Sequence, residues 1–310
     1  MSMDTLPARL DGFGFRARTV RVDRLRDLAG ALDSQHARGL FDDGFYEERL
    51  TEFDAASPQN LPAARSIVIA AYADPHVRFT FEWKGEQVPV IVPATYLHWQ
   101  RKDERVRKAL NALIAADDSS LVAARVPEKL LAVRSGLAQY GLNNIAYAEG
   151  MGSLFRLTAF FSDLPCEKGT WAEPVLMERC ASCRACVGAC PTGAIDPERT
   201  LLHAERCIVF WNEKPKDVPL PSWLAGEWHN ALVGCLHCQR LCPENAGLSD
   251  EYEEGMGFSE TETRLLLDGT SADRLPAGLV GKLEKADLLS MLDTIPRNLG
   301  VLLARRERGT

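Results

Sequence analysis

The sequence predicts an α+β protein in three parts: a mixed α/β domain over residues 1–165, a cysteine-rich domain over 172–250, and a helical segment over 251–310. Three observations predict it. Apolar patterns of strand and helix period interleave through the first 165 residues. Eight of the nine cysteines fall in the 63-residue window from Cys180 to Cys242. Beyond Asn245, an acidic, glycine-containing stretch from Asp250 to Gly257 leads into helical periodicity.

In the first part, Val22 to Asp33 places apolar side chains at helical spacing and predicts a surface helix. Ser66-Ile67-Val68-Ile69-Ala70-Ala71-Tyr72 is a continuous apolar run bounded by Pro62 and Asp74-Pro75, and its β-branched content predicts a buried strand. A hairpin follows, with Val77 to Trp83, a turn at Lys84-Gly85-Glu86, and Val88 to Val92. Asp103 to Ala115 carries Val106, Ala109, Leu110, Leu113 and Ile114 on one helical face. A second helix is expected from Pro127, which suits a first turn, to Gly141, which suits a C-terminal cap. Leu154 to Phe161 alternates, with Phe155, Leu157, Ala159 and Phe161 on one side, and predicts a half-buried strand. The order implies a two- or three-layer α/β domain ending near Pro165. In the tail, helices are expected at Ser259 to Leu267, Leu275 to Leu292 and Pro296 to Arg306.

The cysteines carry the chemistry. The first run reads Cys180-x2-Cys183-x2-Cys186-x3-Cys190-Pro191; the second reads Cys207, a long insert, then Cys235-x2-Cys238-x3-Cys242-Pro243. A [4Fe–4S] cube needs four thiolates converging from different directions, and in two-cluster ferredoxins the cysteine before proline ligates the other cluster. One cube therefore takes Cys180, Cys183, Cys186 and Cys242, and the other takes Cys190, Cys207, Cys235 and Cys238, in a ferredoxin-like domain. Disulfides fit poorly, because the chain opens on Met1-Ser2-Met3-Asp4 without the basic and apolar regions of a signal peptide. Paired zinc sites or a single cluster are the alternatives, and zinc ribbons do not require this run. Cys166 is left over and is read as a small buried apolar residue.

The 27 residues between Cys207 and Cys235 hold three of the six tryptophans, Trp211, Trp223 and Trp228, among Pro215, Pro219 and Pro221. A loop this long is usually functional. Its aromatics suit packing or the lining of a pocket for a flat cofactor, for which Trp211 is the candidate. His237, between two ligands, either tunes a cluster or faces solvent. A net charge of −7 argues against dominant phosphate-backbone binding, and no apolar stretch approaches the roughly 18 residues that span a bilayer. A reducing, cytoplasmic location without membrane contact is expected.

The cluster region, with His203-Ala204-Glu205-Arg206-Cys207 and Gly234-Cys235-Leu236-His237-Cys238-Gln239-Arg240-Leu241-Cys242-Pro243, resembles the double-cluster domain of epoxyqueuosine reductases, whose wider group includes the reductive dehalogenases. Ala132 to Leu137, Gly152 to Phe155 and Ser162 to Pro165 are similar to the segment preceding the clusters in that family, and Arg297-Asn298-Leu299 to a short motif in its tail. The resemblance implies an N-terminal domain of cobalamin-binding type and electrons passing from an external low-potential donor, of ferredoxin or flavodoxin type, through both clusters to cobalt.

Departures accompany the likeness. The family's Gly-Arg-Asp-Tyr-His stretch, which carries a catalytic aspartate, is matched by Trp99-Gln100-Arg101-Lys102-Asp103, with Arg101 at the aspartate's place. Tyr96 and Arg101 become the candidate catalytic pair, a tyrosine beside a basic group being a reasonable acid. The Gly-Lys-His-Thr-Asn segment is replaced by Gly141-Leu142-Asn143-Asn144, so Asn143 and Asn144 become candidate cofactor contacts. With the net charge, these departures favour a small organic substrate over tRNA. An electron-transfer module that docks on a partner enzyme, without its own substrate, is the reading from another class.

Overall fold

The structure, a computed structural model, describes residues 3–54, 56–114, 120–199, 201–248 and 250–308. Its strands are β1 (Arg16–Arg21), β2 (Ser66–Ala73), β3 (His76–Trp83), β4 (Glu86–Val92), β5 (Leu121–Ala123), β6 (Gln139–Tyr140), β7 (Ala146–Tyr147), β8 (Phe155–Ser162) and β9 (Tyr252–Phe258). The α-helices are α1 (Leu6–Leu10), α2 (Leu25–Ala37), α3 (Asp43–Arg49), α4 (Trp99–Ile114), α5 (Glu128–Arg134) and α6 (Ala185–Ala189). They continue with α7 (Ile208–Asn212), α8 (His237–Arg240), α9 (Glu260–Leu267), α10 (Ala277–Ala286) and α11 (Ile295–Arg308). Two compact units result: Met1–Asp74 with Gln100–Val187 and Ile195–Glu205, and Pro75–Trp99 with Gly188–Ala194 and Arg206–Thr310. This division differs from breaks at 165 and 250, because the β3–β4 hairpin groups with the tail.

The first unit is three-layered. An antiparallel sheet of order β1-β2-β8-β5 carries β2 against β8 in the register Ile67↔Phe161 and Ile69↔Ala159. Strands alternate sides at every residue, so both faces of the apolar β2 run are buried. Ile67, Ile69 and Ala71 join Phe155, Leu157, Ala159 and Phe161 under α2 and α5, whereas Val68, Ala70, Tyr72 and Phe160 meet α1 and α4. β8, expected to be half-buried, is buried along nearly its whole length for the same reason.

Several helix boundaries differ from expectation: α2 runs on to Ala37, and α10 stops at Ala286, capped by a left-handed Asp287, short of Leu292. α4 begins at Trp99, so Arg101 lies within it; its expected last residue, Ala115, lies outside the described residues. α5 ends at Arg134 rather than near Gly141. Gly136 adopts φ +72°, its N–H donates to the Val133 carbonyl, and that of Leu137 donates to Ala132. That double bond is a Schellman stop. The chain beyond it forms the β6–β7 hairpin.

In the second unit the sheet order is β4-β3-β9. The β3–β4 turn falls at Lys84-Gly85, both at positive φ, as a tight hairpin of this twist demands. β9, read from sequence as an acidic segment, pairs parallel with β3 (Val77↔Glu253, Phe81↔Phe258). Gly255 lies over Phe79: a Cβ there would stand 2.7 Å from the ring. The core is Phe79, Phe81 and Phe258 against Leu266, Leu279, Leu283, Ile295, Leu299 and Leu303 of α9, α10 and α11. Ser259 and Glu262 close a capping box on α9. Among the described residues no helix is long and apolar enough to cross a membrane.

Candidate functional site

All eight cysteines of the two runs are half-buried and outside any disulfide; Cys166 is buried, its Sγ within 3.6 Å of Thr19 Oγ1. The first run is shaped by its own neighbours. A 3-10 turn over Glu178–Ala181 follows the Cys180 N–H to Met177 O bond (2.9 Å), and the Cys183 N–H donates to Arg179 O (3.2 Å). Arg184 takes φ +42°, a left-handed residue that turns the chain into α6, which carries Cys186. Past Cys190, Gly193 at φ +62° returns its N–H to the Cys190 carbonyl, and Thr192 Oγ1 lies 3.5 Å from Cys190 Sγ.

The second run is assembled from separated pieces of the second unit. Cys207 is the N-cap of α7, and Cys235 follows Gly234, which sits at φ +79°. The Asn212 side chain pairs with the Gly234 backbone on both sides, accepting from its N–H (3.1 Å) and donating to its carbonyl (2.7 Å). Asn230 accepts from the Leu236 N–H at 3.1 Å, and His237 Nε2 lies 2.8 Å from the Trp228 carbonyl, so His237 is tied to the insert. Cys238 lies in α8, and the Cys242 N–H donates to Gln239 O.

The electrostatics fit a cluster. Burial, then the neighbouring Cys207 and Cys190, push the Cys235 thiol up to about 12, with the His237 N–H opposing. A bound iron cluster would reverse that effect by ligating the sulfur as a thiolate. Cys190, Cys207 and Cys235 are three of the four ligands expected for one cube, and all lie in the second unit. Cys180, Cys183 and Cys186 lie in the first unit and Cys242 in the second. Among the described residues no group of three or more His, Cys, Asp or Glu side chains is arranged to hold a single metal ion.

The other predicted residues have different surroundings. Tyr96 donates its hydroxyl to Glu213 at 2.5 Å, and its ring stands 3.0 Å from where a Gly234 Cβ would be. Its hydroxyl partner is thus a carboxylate rather than a basic group, and Arg101 is exposed on α4 in the other unit. Asn143 spends both polar atoms within its turn, donating to Tyr147 O–H (2.8 Å) and accepting from the Ile145 N–H (3.2 Å). Asn144 holds the left-handed corner at φ +59°. Trp211 packs edge-on against Trp223 and Phe210, with the Lys214 ammonium over its ring at 5.4 Å. A cavity in the first unit, about 270 Å³ and lined by Leu28, Leu32, Tyr46, Phe53, Asp54 and Pro127, is smaller than the roughly 300–1,000 Å³ of ordinary ligand sites.

Sequence reading missed two networks. In the first unit Asp103 accepts from Tyr72 (3.3 Å) and from Arg156 (3.3 and 3.4 Å), while Lys102 pairs with the buried Asp74. Beside them burial raises the Glu128 carboxyl to about 8, opposed by Arg156 and aided by Asp103. In the second unit, Arg297 and Asn298 bind the insert's backbone. Only the short likeness around Arg297-Asn298-Leu299 signalled the latter; the former is scattered over four elements.

The fold and the cysteines define a protein with two iron–sulfur clusters, and residues 179–245 match the model of the 4Fe-4S double cluster binding domain. Beyond that segment the chain is similar to epoxyqueuosine reductases. It is 25% identical to that of Staphylococcus aureus over 256 residues, 79% of this chain and 63% of that protein. The fold is that of the Bacillus subtilis epoxyqueuosine reductase, with a TM-score of 0.66 at 22% identity, over 97% of this chain and 81% of that one. It matches equally an epoxyqueuosine reductase crystallised with a tRNA-Tyr epoxyqueuosine-modified stem loop (TM-score 0.66, 22% identity, 97% and 80% covered). The matched region spans 38% to 63% of the first curated relatives' length.

Proposed function

We propose that this chain is an iron–sulfur oxidoreductase of the epoxyqueuosine reductase kind. Cys190, Cys207, Cys235 and Cys238 hold one [4Fe–4S] cluster; Cys180, Cys183 and Cys186 hold three corners of the other, and the spacing rule supplies Cys242. The bound clusters would supply electrons from a low-potential donor for the reduction of an epoxide, which takes two. With two protons the epoxide oxygen leaves as water and a carbon–carbon double bond forms. The observation that carries this reading is the double run of cysteines within residues 179–245 inside a chain with this fold.

The substrate is tRNA, which reverses the preference drawn from net charge and motif departures. Both the relatives and one local feature support it: Arg101, Arg105 and Lys108 recur at i, i+4 and i+7 on the exposed face of α4, a stripe suited to phosphates. A small organic substrate remains the second reading. It is favoured by Asp103, which is engaged by Tyr72 and Arg156 rather than free to act as an acid. Cobalamin is the acceptor that the resemblance implies. Asn143, Asn144 and Trp211 are the residues proposed to meet it, Asn143 through its backbone since its side chain is spent within the turn.

The test is anaerobic incubation of reconstituted protein with a chemical reductant, with and without added cobalamin, on epoxyqueuosine-containing tRNA. Mass spectrometry of the nucleosides is expected to show loss of one oxygen. Full reduction of both clusters without that loss overturns the reading.

A further inference from the structure

We infer that Arg297 and Asn298, at the start of α11, are positioning residues for the second cluster. The inference rests on the assignment of Cys190, Cys207, Cys235 and Cys238 to one cluster. The observation is a closed chain of hydrogen bonds from the tail to the ligand loop. Arg297 directs Nη1 to the carbonyls of Pro215 (2.9 Å) and Val218 (2.7 Å) and Nη2 to those of Trp211 (3.0 Å) and Lys214 (2.8 Å). Its Nε–H donates to Asn298 Oδ1 at 3.1 Å, so all five guanidinium donors are engaged.

The Asn298 amide then donates to the carbonyls of Asn212 (2.7 Å) and Leu232 (2.9 Å). Asn212 in turn brackets Gly234, the residue before Cys235. Asn212 and Asn298 are both fully buried.

Asn298 thereby meets both ends of the insert, and Arg297 holds the near end. α7, capped at its start by Cys207, ends in the carbonyls of Trp211, which also accepts from the Lys214 N–H, and of Asn212. Arg297 and Asn298 take those two. The segment leading to Cys235 is held at Leu232 and, through Asn212, at Gly234. A five-residue helix has too little cooperativity to fix its own direction. The clamp therefore sets where the Cys207 and Cys235 sulfurs point. Ligand geometry and hydrogen bonding around the sulfurs are what a protein uses to tune a cluster.

Neither residue touches a cysteine side chain, so the role is positional. It also makes a sharp chemical demand. Lysine has three donors on a single nitrogen and cannot reach four carbonyls that diverge around a planar fork.

The test uses the full chain, reconstituted anaerobically, with iron counting, EPR-monitored redox titration and thermal unfolding. Cys183→Ser and Cys235→Ser first assign the two clusters' signals. Asn298→Ala and Arg297→Lys are expected to lose or shift the second cluster's signal while the first keeps its potential, with iron falling from about eight towards about four per chain. Leu303→Ala, which removes buried packing from the same helix, is the control: it is expected to lower the Tm and leave both signals in place.

Unchanged potentials and iron in both clamp variants overturn the inference. So does a Leu303→Ala variant that disturbs the second cluster as much as they do. Should Asn298→Ala fail to fold, Arg297→Lys decides alone, a selective change supporting the clamp and an equal loss of both clusters refuting it. A wild-type protein that takes up fewer than two clusters refutes the cluster assignment itself, which is a separate result.

Discussion

The two cysteine runs meet the same ligand requirement by different means. From Cys180 to Cys190 the chain is shaped by bonds between residues a few positions apart, a left-handed Arg184 and one short helix. From Cys207 to Cys238 the shape comes from afar: Arg297 reaches back 86 residues to Trp211, and Tyr96 reaches forward 117 to Glu213. A locally held loop tolerates damage elsewhere in the fold, whereas a remotely held one inherits the stability of everything that holds it. The runs therefore differ in what can break them.

The largest expected contrast comes from the ligands themselves. Cys235→Ser is expected to remove the second cluster and about half the iron, leaving the first cluster's EPR signal. Loss of both signals would show that the two sites are not separable.

Acid is the next probe, because the insert of the second run buries a histidine. His229 is inaccessible to solvent, neither ring nitrogen has a hydrogen-bond partner among the described residues, and burial, with Arg297 and Arg305 nearby, lowers its pKa to about 4. Above about pH 6.5 the ring is neutral in both folded and unfolded chains. As pH falls from 6.5 to 4 the unfolded chain binds a proton that the folded one refuses, so stability falls, by up to about 3 kcal/mol, and levels below 4. His76, buried on β3 near Arg240 and also lowered to about 4, adds in the same direction. Urea unfolding of wild type and His229→Leu at pH 7 and pH 4.5 checks this: the variant should lose less stability on acidification. The first unit has the opposite sense. Glu128, raised to about 8, is neutral when folded but ionised when unfolded between about pH 4.5 and 8, so its contribution falls as pH rises through that window.

The smallest contrast lies in two glycines of the same backbone sign. A Cβ on Gly234 would meet Tyr96 at 3.0 Å and Pro93 at 3.1 Å, whereas one on Gly193 meets nothing within 4 Å. Gly234→Ala is expected to cost about 2 kcal/mol or more, from left-handed strain plus crowding, and Gly193→Ala about 1 kcal/mol from strain alone. Equal losses in thermal unfolding would mean that the Tyr96 ring yields freely.

What could be read from the sequence follows the same division between local and remote. Cysteine spacing, the β2 run and the Lys84-Gly85 hairpin are local patterns, and each appears in the fold where the pattern lies. β9 was hidden because Glu253, Glu254, Gly255 and Gly257 are poor strand formers. Its place on β3 is decided by the close approach of Gly255 to Phe79. α5 was drawn too long because two glycines, Gly136 and Gly141, could each end it, and only the Leu137 bond to Ala132 shows which one does. Tyr96, Asn143 and Trp211 were singled out for their chemistry, but neighbours distant in sequence or hidden in a turn set their surroundings. Asn298 displays no chemistry of its own; its meaning lies wholly in the carbonyls of Asn212 and Leu232.

The parallel pairing of β3 with β9 also orders events in time. A ribosome that has released the β3–β4 hairpin must translate some 160 further residues before Tyr252 to Phe258 emerge to complete that sheet. Until then the hairpin offers an open strand edge, a hazard for the nascent chain. Cys207 and Cys235 leave the exit tunnel before the helix that steadies them, so iron delivered during synthesis meets a half-built cradle.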